Sequence, residues 1–177
     1  MNKRFSVIVA AVLVLFAGPV VSAQGETSLI LTDTQVGLIK ANCISVQSTL
    51  TRIHTNDALS RVNLGREYET ISSKFMAPMN SRVALAKLDS VEMVKTTVAF
   101  NDKLDEFRSA YQQYEQTLLK AIQTKCKDQP VAFFDTVVLA QQYRDEVRQK
   151  VVALGELTTQ YNTQVKALRS KAVEANK

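Results

Sequence analysis

From residue 36 onward, apolar residues recur at alternating spacings of three and four. Val36, Ile39, Cys43, Val46, Leu50 and Ile53 open the pattern, and Leu64, Tyr68, Ile71 and Phe75 resume it after the polar stretch HTNDALS. Such spacing keeps side chains on one face of a helix. It predicts a first helix over about 34–77, capped by Thr32, Asp33 or Thr34 through a backbone N–H bond. Asn56–Asp57 is a candidate break, and Pro78 is the expected end. The stretch APMNSRVALAKLDS is the least regular and reads as a connection with one short helical turn, capped by Asn80 or Ser81. DSVE then reads as a capping box, Asp89 accepting from the backbone three residues on and Glu92 reaching back.

The second stripe is the clearest: Phe100, Leu104, Phe107, Tyr111, Tyr114 and Leu118 predict a helix over about 90–125. After CKDQP, where Asp128 or Gln129 can cap and Pro130 suits the first helical turn, a third stripe begins. Phe133, Val137, Ala140, Arg144, Val147, Val151, Leu154, Thr158, Tyr161, Val165, Leu168 and Ala172 predict a helix over about 130–173. Arg144 and Thr158 are its polar members; Arg144 can snorkel, pair with a carboxylate or mark a face turned toward a partner. No segment reads as strand. Three long helices with short connections pack as antiparallel neighbours, so the expected fold is all-α: an elongated, coiled-coil-like antiparallel three-helix bundle forming one domain over 34–177.

This register gives the two cysteines a meaning. Folding the first helix back on the second around 77–90 places position x opposite about 167 − x, so Cys43 faces residue 124, within one turn of Cys126. A Cys43–Cys126 disulfide is the expected outcome, closing a long loop for about 4 kcal/mol in the chain-entropy model. Two separate buried thiols are the alternative, and there is no CxxC spacing of a redox pair. The same count puts Gly65 and Gly155 beside Phe100 and Leu104. Small residues facing large ones are a packing device; the rival reading is a waist where the bundle bends or opens, since glycine weakens a helix by about 1 kcal/mol relative to alanine.

The N-terminus changes the setting. MNKRFSVIVAAVLVLFAGPVVSAQG has a basic start at Lys3 and Arg4, an apolar run from Phe5 to Ala17, a Gly18–Pro19 break and the small-residue ending Val21-Ser22-Ala23. This is the pattern of a signal peptide over 1–23 cleaved between Ala23 and Gln24, followed by a leader over 24–33. Export to an oxidising compartment agrees with a cysteine bridge. Losing Lys3 and Arg4 lowers the net charge from +5 to +3, and the remaining charges are interspersed. That argues against a nucleic-acid partner.

Candidate chemistry is sparse. His54 is the single histidine, with Asp57 one turn away, and metal sites usually need three or four ligands; it reads as solvent-facing. There is no GxSxG elbow and no phosphate-binding glycine loop. Paired carboxylates such as Asp105/Glu106 and Asp145/Glu146 read as solvated charge. No enzyme activity, cofactor or metal is expected.

The signal sequence together with VQSTLTRIH, YETISSKFMAPMNSRVALAKLD, YQQYEQ and KCKDQPVAF resembles small exported all-helical proteins of reduced-genome, candidate-phylum bacteria. The likeness covers most of the chain after residue 23 and implies no activity, cofactor or functional residue. In size, charge and signal the chain also resembles exported helical holdase chaperones, but those carry a small β-body and no strand is legible here. The leading expectation is a non-catalytic extracytoplasmic protein that binds other proteins or the cell envelope. The alternatives are a holdase-type chaperone and, if residues 1–23 are retained, a membrane-anchored spacer or sensor.

Overall fold

The computed structural model describes residues 31–175. The signal peptide, the Ala23–Gln24 junction and leader residues 24–30 lie outside the described residues. Within them the chain is all helical, with no strand: α1 (Asp33–Thr70), a π-helical segment (Ile71–Met76), α2 (Ala77–Leu85), α3 (Val91–Gln123) and α4 (Pro130–Ala175). α1, the π segment and α2 are one continuous helical arm. It packs antiparallel to α3, which turns back again into α4. The α3–α4 pairing is the most extensive, and α4 alone is about 69 Å long at 1.5 Å per residue.

Thr32 caps α1 as expected. Its hydroxyl accepts from the Gln35 N–H, and Gln35 Oε1 accepts from the Thr32 N–H at 2.8 Å. The candidate break at Asn56–Asp57 does not occur, because α1 runs through both. Pro78 does not end the helix either. In an α-helix its ring would crowd the carbonyl of Lys74 and remove one bond. Here the preceding turn is widened, with the Ala77 N–H donating to the carbonyl of Ser72, five residues back. Helix then continues to Leu85, so Asn80 and Ser81 sit within it and cap nothing.

The widened turn also shifts the phase of the stripe. Phe75, inward by the 4-3-4 count, is 64% exposed, and Met76 takes its place in the core at 1%. The later turn-around moves the register. Gln47 meets Thr124, Asp57 meets Tyr114 and Asn80 meets Thr97, four to ten positions beyond the 167 − x count.

α2 ends without a glycine. The Leu88 N–H reaches the Val83 carbonyl at 3.1 Å and the Lys87 N–H reaches the Ala84 carbonyl at 3.0 Å. This is a Schellman ending in which Lys87 holds the left-handed position at φ 57°. A non-glycine residue there is disfavoured by about 1 kcal/mol or more. Lys87→Gly is therefore expected to raise the stability by about 1 kcal/mol, read as a higher urea midpoint at unchanged slope. The DSVE capping box does not form. Asp89 accepts from the Val91 N–H, two residues on rather than three, and Glu92 pairs with Lys95 instead of reaching back.

The core has two parts. One surrounds Cys43, Leu50, Tyr111, Tyr114, Leu118, Cys126, Phe133 and Ala140. The other surrounds Tyr68, Met76, Val83, Met93, Phe100, Leu104, Phe107, Leu154 and Tyr161. Val147 packs against both. Tyr68 stands edge-on to Phe100 and to Phe107, with centroids 6.2 and 5.8 Å apart.

Candidate functional site

At the first end of the bundle, Cys43 on α1 and Cys126 in the α3–α4 turn are joined as a disulfide, with Cα atoms 5.6 Å apart. Both are buried, and no other cysteine is present. One turn further along α1, the Gln47 amide donates to the carbonyls of Ile122 and Thr124, each at 2.9 Å. Those groups at the end of α3 have no helical partner of their own, so the side chain and the bridge together pin this end.

Where the two apolar clusters meet, the interface turns polar. Asp57 on α1 accepts from the Tyr114 hydroxyl at 2.6 Å, and Arg144 grips the same carboxylate through Nε at 3.0 Å and a terminal nitrogen at 3.1 Å. Arg144, the odd member of its stripe, thus pairs with a carboxylate. Arg61 stacks on the Tyr111 ring, 4.9 Å from its centroid. Burial, and then the bond to Asp57, push the Tyr114 hydroxyl well above the ordinary phenol range, while burial lifts Tyr111 to about 12. Asp57 retains only 20% of its side-chain exposure, so removing it leaves Tyr114 and Arg144 without their acceptor. Asp57→Ala is expected to cost about 2 kcal/mol, and Asp57→Asn, which keeps an acceptor for Tyr114, about half that, by chemical denaturation.

His54 is not simply solvent-facing. Its Nε2 is buried, lies 3.8 Å from Glu115 Oε1 and makes no hydrogen bond. Among the described residues no group of three or more His, Cys, Asp or Glu could hold a metal.

The candidate waist residues separate. Phe100 and Leu104 are buried in the second cluster, at 0% and 4%. Gly65 and Gly155 are not packed against them: a Cβ at either would meet nothing within 4 Å. The reading of small against large residues is therefore wrong, because both glycines lie off the interface and both helices run through them. The division of the core falls instead at Asp57, Tyr111, Tyr114 and Arg144.

An apolar recess lies beside the π segment. A groove of about 540 Å³ runs between the π–α2 arm and α4, its walls including Ile71, Phe75, Met76, Met79, Tyr161 and Val165. Lys74 and Arg82 stand at its rim, both exposed. Behind the floor, the Tyr161 hydroxyl lies 2.8 Å from Asn80 Oδ1 and 3.0 Å from the Met76 carbonyl. The Asn80 amide donates to Thr97 Oγ1 at 2.8 Å. This network fixes α2 against α3 and α4 and holds the floor in place; the sequence pattern did not reveal it. The one signal for it was Tyr161 within an apolar stripe, since a buried phenol needs a partner.

A second recess of about 390 Å³ lies between the start of α3 and the end of α4, near Asp89, Glu92, Gln164 and Lys171. Among the described residues no helix is long and apolar enough to cross a membrane. No protein-family model, curated protein or solved structure matches this chain.

Proposed function

We propose that the protein is an exported, non-catalytic helical bundle that binds another protein outside the cytoplasm. The groove beside the π segment carries this reading. Its size falls in the range of binding clefts, which are mostly apolar with a few polar groups, and it keeps Phe75, a large aromatic side chain, 64% exposed. π-helical turns frequently mark functional positions. The disulfide supports an oxidising compartment, and the signal-like N-terminus supports export. The clusters around Asp57 and Tyr161 have their groups engaged with one another, as structural polar networks do.

Photo-crosslinking groups installed one at a time over the surface, in cells making the native protein, test this reading. Discrete protein adducts are expected; none from any position would contradict it. A holdase would instead give a continuous smear of clients and would suppress aggregation of an unfolded exported protein. The intact mass of the isolated protein checks export, with Gln24 as the expected first residue.

A further inference from the structure

We propose that the groove receives an acidic amphipathic helix of the partner, which completes the bundle as a fourth helix. This rests on the protein-binding reading above. The groove lies between two helical arms that run the same way, α1–α2 and α4, so a helix laid between them runs alongside both, the helix-in-groove mode of recognition. Its floor is apolar, from Ile71, Met76, Met79 and Val165, and methionines adapt to varied apolar partners.

Charge selects the occupant. Lys74 and Arg82 have no carboxylate within ion-pair distance among the described residues, and no acidic residue lines the groove. The two cations are eight residues apart on one arm, about 12 Å along its axis. A lipid with a single anionic headgroup answers one of them. A helix with carboxylates two turns apart answers both while laying its apolar stripe on the floor. The chain's own N-terminal residues do not supply this occupant: residues 1–23 contain Lys3 and Arg4 and no acid, and residues 24–32 contain a single acid, Glu26, where two are needed.

The probe is a fluorescein-labelled 18-residue helical peptide with a Leu/Phe stripe and glutamates two turns apart, added to the oxidised protein and followed by anisotropy. Saturable binding is expected, about tenfold weaker for the glutamine version and weaker again for the lysine version. Phe75→Ser should weaken it by about tenfold at unchanged melting behaviour, since that side chain is already exposed. The double variant Lys74→Glu, Arg82→Glu should reverse the preference toward the lysine peptide. Equal binding of all three peptides, or binding untouched by Phe75→Ser, would overturn the proposal. So would phosphatidylglycerol vesicles that bind the protein and displace the peptide, which would assign the groove to a membrane surface. No peptide binding, with crosslinked adducts arising only at other surfaces, overturns the groove's role while leaving the protein-binding reading intact.

Discussion

Replacing both Cys43 and Cys126 by alanine is expected to lower stability by about 4.5 kcal/mol. The bridge spans 83 positions, and in the chain-entropy model a closed loop of that size restrains the unfolded chain by about this amount. Alanine leaves no polar group behind at two buried positions. For a chain of this length the melting temperature should fall by roughly 10–15 °C. Reduction of the native protein should lower it by a similar amount. A melt unchanged by both treatments would show that the bridge restrains nothing that the helix packing does not already restrain.

Phe100→Ala is expected to cost about 3–5 kcal/mol, the usual range for deleting a buried aromatic ring. Phe100 has no exposed surface and holds Tyr68 edge-on, in the cluster that also contains Met76 and Tyr161. The loss therefore falls beneath the groove, at the end of the bundle away from the disulfide. Phe100→Leu, which fills much of the space, should cost less and supplies a folded comparison. Because the two clusters share little besides Val147, combining Phe100→Leu with the double cysteine substitution should give additive losses within about 0.5 kcal/mol. Strong coupling would mean that the bundle is stabilised as one block rather than two.

Much of this fold is legible as a pattern. Every residue of the Phe100–Leu118 stripe is buried, and α4 begins at Pro130 as its place after CKDQ implies. Cys43 was also placed within a turn of its partner by counting alone. The first arm is where reading failed, and one physical reason covers most of it. A constant period assumes a constant helix, but the turn at Ile71–Met76 carries an extra residue, so Phe75 and Met76 exchange roles. That turn makes room for Pro78, a residue that otherwise argues for a helix end. The end itself was unmarked because Lys87, not glycine, takes the left-handed position. Gly65, counted beside Phe100 and Leu104, stands off the interface, because the count along the arms fixes the level of a residue and not the side of the helix it occupies. The groove inherits the same illegibility: it exists because Phe75 is turned out, and nothing in the 4-3-4 spacing signals that.

The Asp57–Arg144 pair was half legible. An arginine inside an apolar stripe demands a partner, but which carboxylate supplies it depends on how α1 and α4 lie alongside each other. Half-buried ion pairs contribute modestly to stability and can serve to fix register, and this one sits where the two apolar clusters meet.

Amide chemical-shift mapping of the isotopically labelled, oxidised protein during titration with the glutamate-bearing peptide tests the binding groove most directly. The predicted result is a saturable set of shifts concentrated at residues 71–82 and 158–165, with the Cys43–Cys126 end unmoved. Shifts gathered instead on the exposed Val91, Val94 and Val98 face of α3, or no saturable shifts at all, would contradict it.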